Sequence, residues 1–114
     1  MKIKGFVIGG KNKGEKIGFP TVNLELDEKV SKDVDPGVFS GKVFIDEEEK
    51  KAGIFINSDK KILEAHILDF SGDLRGREIE IEIDEKLRDV MKFENDEELI
   101  DQIGKDVEKV RDMK

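Results

Sequence analysis

The sequence predicts a closed six-stranded antiparallel β-barrel followed by one C-terminal helix. Two observations predict it. Six short segments rich in apolar and β-branched residues are separated by clusters of turn-forming residues. Helical spacing of apolar residues begins only near residue 95. The fold class is therefore all-β with a C-terminal helix.

The predicted strands follow one another with turn signals between them. Their ranges are 2–8, 20–26, 37–45, 52–57, 61–69 and 77–84. The clearest of them contains Glu78-Ile79-Glu80-Ile81-Glu82-Ile83-Asp84, in which apolar and acidic residues alternate strictly. Because side chains alternate across a strand, its three isoleucines are expected to face the core.

The C-terminal segment changes from strand to helix periodicity. Asn95 followed by Glu98 resembles a capping box, which indicates a helix start. The apolar residues at helical spacing after it are Leu99, Ile100, Ile103, Val107 and Val110. We expect a helix over about 95–112. With no repeat or linker to divide the chain, residues 1–114 are expected to form a single domain, with the barrel over about 1–93.

Composition excludes several classes of function. The 114 residues include no cysteine and one histidine, which excludes disulfides, cysteine-bound zinc and histidine-rich metal sites. A net charge of -7 argues against nucleic acid or an anionic membrane as a general partner. Neither a membrane span nor a secretory signal is recognisable, so a cytoplasmic protein is expected.

A basic, glycine-rich loop separates the first two predicted strands. Residues 1–23 carry five lysines and one acid, whereas the rest of the chain is acidic. Its glycines and lysines are Gly9, Gly10, Lys11, Lys13, Gly14, Lys16 and Gly18. Backbone N–H groups and lysines of such a loop can hold a phosphate, although the Walker sequence is absent. A flexible loop with solubilising lysines would look the same.

Thr21 and Asn23 follow this loop, and Pro20 fixes the entry into their strand. Being two residues apart on a strand, they are expected to face the same side. A hydroxyl and an amide oxygen side by side are hard, neutral ligands that suit Mg²⁺. The same pair is also common on exposed strand faces, so the residues alone leave both interpretations open.

Five segments stand in a fixed order along the chain. They are the run from Gly5 to Leu24 ending in Gly18-Phe19-Pro20-Thr21-Val22-Asn23-Leu24, Pro36-Gly37-Val38-Phe39-Ser40-Gly41, Leu63-Glu64-Ala65-His66-Ile67-Leu68-Asp69-Phe70, Gly72-Asp73-Leu74-Arg75-Gly76, and Leu87-Arg88 through Phe93, Leu99 and Ile103 to Asp106. This order resembles the motifs of riboflavin kinases, including the kinase domain of bifunctional bacterial FAD synthetases.

The resemblance implies a fold, a reaction and a set of site residues. It implies a six-stranded Greek-key barrel that transfers the γ-phosphate of ATP to the ribityl 5'-hydroxyl of riboflavin, giving FMN. ATP is then a co-substrate, and Mg²⁺ or another divalent ion a cofactor. Glu64 takes the position of the catalytic base, and His66 beside it is expected to be a hydrogen-bonded structural residue.

The remaining roles are also carried over from the resemblance. Thr21 and Asn23 would hold the metal and the phosphates, and Arg88 and Phe93 would pack on the flavin ring. The residues expected to bind the nucleotide are Gly10, Lys11, Lys13, Gly14, Lys16, Gly18, Phe19, Pro20, Thr21 and Asn23. The expected partners are riboflavin and ATP, with their products. We expect a monomer, and no FAD-forming activity.

Four departures from the family pattern keep other functions open. Glu15 replaces a usual arginine, Phe39 and Arg75 replace tyrosines, and the segment 53–61 is several residues shorter. These changes are expected to affect substrate contacts. The first alternative is a non-catalytic flavin- or nucleotide-binding barrel of the same fold. The second is an acidic interaction barrel with no small ligand.

Overall fold

The computed structural model describes residues 1–8 and 17–113, and these residues form a closed antiparallel barrel with a C-terminal helix. The six strands are β1 (Lys2–Ile8), β2 (Val22–Glu25), β3 (Gly37–Ile45), β4 (Glu48–Ile56), β5 (Ile62–Ile67) and β6 (Glu78–Arg88). The helices are α1 (Glu28–Asp33) and α2 (Asp96–Asp112). The predicted fold class is confirmed.

The strands are arranged around the barrel in the order β1-β2-β5-β4-β3-β6, and all neighbouring pairs are antiparallel. Strands β3, β4 and β5 are consecutive neighbours, and β6 returns to lie beside β3. That arrangement is a Greek key. The crossover from β2 to β3 places β2 beside β5, which brings residues about 40 positions apart into register.

The barrel interior is filled by alternate residues of every strand. Ile79 and Ile81 are buried as predicted, and Ile83 is partly buried against the same core. The largest fully buried side chains are Leu24, Val43, Ile54, Ile56, Leu63, Ile81 and Val110. Burial of each such aliphatic side chain contributes about 1.5–3 kcal/mol to folding.

The pairing of β3 with β6 is irregular, and this irregularity bends the two strands. The register shifts between Val38 and Phe39 and again between Phe39 and Gly41. A β-carbon at Gly41 would overlap the carbonyl oxygen of Glu82 and the Ile54 side chain. Glycine at this position therefore allows a close approach of the two strands, as at other β-bulges.

Several elements differ from the sequence prediction, and strands β2 and β5 are both shorter than predicted. Helix α1 was not predicted, because six residues are too few to show a helical period. Its N-cap is Asp27, whose side chain accepts a hydrogen bond from the backbone N–H of Val30 (2.9 Å). Strand β4 begins at Glu48, since Asp46 and Glu47 form a two-residue turn with positive φ. Strand β6 continues to Arg88, through the irregular pairing with β3.

Helix α2 begins at its predicted cap and packs on the outside of the barrel. The Asn95 side chain accepts a hydrogen bond from the backbone N–H of Glu98 (2.9 Å). The helix packs against β4 and β3, with Val110 buried. Ile100 belongs to the predicted apolar series but is exposed. Within residues 1–8 and 17–113, no helix is long and apolar enough to cross a membrane.

Candidate active site

Strands β2 and β5 bring three oxygen-bearing side chains together. Their register places Asn23 opposite Glu64. The hydroxyl oxygen of Thr21 lies 3.2 Å from Oδ1 of Asn23 and 3.2 Å from Oε1 of Glu64. Thr21 and Asn23 therefore face the same side, as predicted, and the carboxylate of Glu64 joins them from the neighbouring strand.

Glu64 is partly buried, and its surroundings change its proton affinity. Burial raises the pKa of the Glu64 carboxyl above its usual 4.5, and the hydrogen bond from Thr21 lowers it by a smaller amount. A carboxylate with a raised pKa accepts a proton more readily near neutral pH, which is what a general base requires. Leu63 and Ala65 on either side of it point into the barrel interior, so Glu64 faces outward.

The side-chain oxygens of Thr21 and Asn23 fit a magnesium ion in their chemistry. Mg²⁺ is usually held by one or two protein oxygens, several waters and the phosphates of a substrate. A hydroxyl and an amide oxygen supply such a partial set, and the Glu64 carboxylate lies beside them. Among the described residues no group of three or more His, Cys, Asp or Glu side chains could hold a metal by itself, so a metal here would need substrate ligands.

His66 connects β5 to the segment that leads into β2. Its Nδ1 lies 2.8 Å from the carbonyl oxygen of Pro20, which accepts, so Nδ1 carries the proton and donates. The imidazole also meets the ring of Phe19 edge-on, with 5.5 Å between the ring centroids. Gly18, just before Phe19, has a φ of 92°, in the left-handed region that favours glycine. His66 thus fixes the approach to Thr21.

A crevice of about 260 Å³ extends from these residues, between α2 and the outer face of the barrel. Its polar end contains Thr21, Glu64 and His66. The side chains lining the remainder are mainly apolar and aromatic: Ile17, Phe19, Val38, Ile54, Phe55, Met91, Phe93, Leu99, Ile103 and Val107. A mainly apolar crevice with a few polar groups is typical of a small-molecule site.

Arg88 and Phe93 lie at the other end of the crevice, beside α2. The guanidinium carbon of Arg88 is 5.9 Å from the centroid of the Phe93 ring. Both side chains line the crevice. Arg88 is also bound to Asp106 of α2, through Nε to Oδ1 (3.1 Å) and Nη2 to Oδ2 (2.9 Å). The two residues predicted for the flavin side therefore stand together on one wall.

The departures from the family pattern at Phe39 and Arg75 lie away from the crevice. Phe39 is buried in the barrel core, and Arg75 is an exposed residue bound to Asp73, whose pKa its guanidinium lowers to about 2. Neither residue lines the crevice. In the shortened segment 53–61, Gly53 and Phe55 form part of the crevice wall.

Most of the basic, glycine-rich loop that is predicted to bind the nucleotide lies outside the described residues. Gly10, Lys11, Lys13, Gly14, Glu15 and Lys16 lie outside the described residues. Of the predicted nucleotide-binding residues, Gly18, Phe19, Pro20, Thr21 and Asn23 are described, and they lead into the polar end of the crevice.

Sequence reasoning missed the part of the site that α2 supplies. Leu99, Ile103 and Val107 were predicted as an apolar helix face, and this face lines the crevice. Asp106 and Gln102 were given no role, yet they form a hydrogen-bonded cluster with Arg88. A carboxylate on an otherwise apolar helix face was the signal that could have found them.

Comparison with known proteins agrees with this geometry. The family model for riboflavin kinase matches residues 1–114. The bifunctional riboflavin kinase/FMN adenylyltransferase of Haemophilus influenzae is 37% identical over 114 residues, which cover 94% of this chain and 36% of that protein. The chain thus spans about a third of the length of most of these curated relatives, and 17% of one of them. It belongs to the riboflavin kinase family.

Two solved structures share the fold. The riboflavin kinase of Trypanosoma brucei superposes with a TM-score of 0.73 at 26% identity, covering 98% of this chain and 78% of that one. A Streptococcus pneumoniae structure, described as a macrolide-efflux protein, superposes with a TM-score of 0.83 at 26% identity. The superposition covers 99% of this chain and 37% of the Streptococcus pneumoniae chain.

Proposed function

We propose that the chain phosphorylates riboflavin, transferring the γ-phosphoryl group of ATP to the ribityl 5'-hydroxyl to give FMN and ADP. The observation that carries this proposal is the Glu64 carboxylate, which Thr21 contacts at the polar end of an apolar crevice. The apolar length of the crevice suits the flat ring system of a flavin. Its polar end suits the hydroxyl that is to be phosphorylated.

Glu64 is the general base in this proposal. Its carboxylate accepts the proton of the 5'-hydroxyl while that oxygen forms a bond to the γ-phosphorus, and the bond from the γ-phosphorus to the bridging oxygen of ADP breaks. Burial raises the pKa of Glu64, which favours uptake of the proton. The contact with Thr21 orients the carboxylate, and the pairing of β5 with β2 fixes the distance between them.

Thr21 and Asn23 would hold a divalent ion, for which Mg²⁺ is the first candidate. When bound, such an ion neutralises charge on the phosphates of ATP. Arg88 and Phe93 hold the flavin ring at the far end of the crevice. His66 keeps Phe19 and Pro20 in position beside Thr21 through its hydrogen bond to the Pro20 carbonyl.

Incubation of the protein with riboflavin, ATP and Mg²⁺ tests the proposal. We expect FMN and ADP to appear in equal amounts, separated by chromatography. A folded protein that makes no FMN would contradict the proposal. Binding of riboflavin or FMN without turnover would favour the alternative of a non-catalytic flavin-binding barrel.

A further inference from the structure

The ion pair between Arg88 and Asp106 is unusual in its burial. Asp106 is 5% exposed, and the other ion pairs between described residues are formed by more exposed side chains. Its Oδ1 accepts hydrogen bonds from Nε of Arg88 and from Nε2 of Gln102, each at 3.1 Å. Its Oδ2 accepts from Nη2 of Arg88 at 2.9 Å. Both carboxylate oxygens are therefore in use.

Stability alone does not explain such a pair. Removing two charges from water costs several kcal/mol for each ion, and apolar residues of similar volume are often as stabilising or more so. A two-point contact between guanidinium and carboxylate does, however, fix the plane of the arginine head. The role of this ion pair is therefore to fix the position of the Arg88 side chain.

In the cluster of Arg88, Asp106 and Gln102, Asp106 is the only charged residue that comes from α2. Arg88 is the last residue of β6, and its backbone is held by pairing with Val38. Its guanidinium also donates from Nη1 to the carbonyl oxygen of Asp89 (3.1 Å), but that contact lies with the adjacent residue and does not tie the side chain to α2. The Phe93 ring lies in a segment without helix or strand and contacts the Arg88 guanidinium at 5.9 Å. The Arg88 guanidinium and the Phe93 ring are therefore neighbours on the crevice wall.

We propose that Asp106 is a positioning residue for the flavin end of the crevice. It holds the Arg88 guanidinium, and through it the Phe93 ring, at the crevice wall before riboflavin binds. This inference rests on the proposed kinase activity. It adds to the site a residue, Asp106, that acts on riboflavin only through Arg88. Thr21 directly precedes β2, and Glu64 lies on β5, which pairs with β2. Loss of Asp106 therefore affects riboflavin binding and leaves the phosphoryl-transfer end intact.

The first experiment compares two Asp→Asn substitutions, each of which breaks an Arg–Asp ion pair involving α2. Asp106→Asn is expected to raise the KM for riboflavin at least ~10-fold, with the KM for ATP and kcat changed less than about threefold. Asp69→Asn breaks the exposed pair with Arg111 (2.9 Å) outside the crevice, and is expected to leave both KM values unchanged. A merely structural role would lower the folded fraction and hence the apparent kcat, without a selective change in the riboflavin KM.

A second variant is needed in case Asp106→Asn does not fold, since that change leaves the partly buried Arg88 poorly paired. Arg88→Met combined with Asp106→Leu removes both charges and keeps an apolar wall, so the melting temperature is expected to equal or exceed that of the unmodified protein. The riboflavin KM is nevertheless expected to rise by a similar factor. A folded double variant with an unchanged riboflavin KM would overturn the inference, as would a folded Asp106→Asn variant with an unchanged riboflavin KM.

The unmodified protein separates the two proposals. If it makes no FMN, the kinase proposal fails, whatever the variants do. If it makes FMN and the variants keep its riboflavin KM, only the positioning role of Asp106 fails.

Discussion

The inner and outer faces of β5 belong to two different regions of the molecule. Leu63, Ala65 and Ile67 point inward and are buried in the barrel core. Glu64 and His66 point outward into the crevice beneath α2, where water has access. The inner face fixes the strand in place, and the outer face then presents its polar atoms at set distances. A slip of one residue in register would exchange the two faces, so packing of the core also protects the site.

The largest effect is expected on the inner face, at Leu63. Leu63 is fully buried, so Leu63→Ala removes packed methyl groups and leaves a cavity that costs about 2–5 kcal/mol of unfolding free energy. Chemical denaturation measures this loss. The protein that remains folded is expected to keep its riboflavin KM. A loss below about 1 kcal/mol would show that the barrel relaxes around the cavity and that the interior is less rigid than its packing indicates.

The next largest effect is expected at the neighbouring residue, Glu64, and on activity instead of stability. Glu64→Gln keeps the shape of the side chain but removes the proton acceptor, so kcat is expected to fall by ~10² or more. Riboflavin binding, measured by fluorescence titration, is expected to change little. Glu25→Gln on β2 is the matched control, because Glu25 is exposed and lies outside the crevice lining. Equal rates for the two variants would remove Glu64 from the role of base.

The contrast between the two faces of β5 was largely predictable from the sequence. Alternation placed Leu63 and Ala65 opposite Glu64, and the spacing of Thr21 and Asn23 placed both on one face. These are local rules of strand geometry, and they do not depend on what lies next to the strand. The same reasoning predicted the helix start at Asn95, because the cap is a contact within a few residues.

The crevice itself was not predictable in this way. Periodicity showed that Leu99, Ile103 and Val107 share a helix face, but it does not show how far that face stands from the barrel. The distance depends on long-range packing, such as Val110 against β4 and Asp106 on Arg88. The bond from His66 to the Pro20 carbonyl likewise joins residues 46 apart, and follows from the crossover that places β2 beside β5.

A smaller effect is expected at the flavin end of the crevice, at Phe93. Phe93→Leu keeps an apolar side chain but removes the aromatic face, so the riboflavin KM is expected to rise several-fold, about 3–10-fold, with kcat nearly unchanged. Phe6→Leu serves as the control, because Phe6 is 63% exposed on β1 and lies outside the crevice lining. If kcat falls as strongly as in Glu64→Gln, the two ends of the crevice are not independent. The assignment of flavin binding to one end and phosphoryl transfer to the other is then wrong.

The smallest effect concerns the pH dependence of stability, and it also separates the two faces of β5. Burial raises the pKa of Glu64 above 4.5, so the folded state favours the protonated carboxyl. The stabilising contribution is complete below the unfolded pKa near 4.5 and is lost as the pH rises through the folded pKa. Glu64→Gln cannot ionise, so its melting temperature relative to the unmodified protein is expected to rise between about pH 4 and about pH 7. Leu63→Ala should show a constant difference over the same range, because no ionisable group is changed. A constant difference for Glu64→Gln as well would mean that the carboxyl is hydrated like an exposed one, and that its suitability as a base must come from Thr21 and the bound substrates alone.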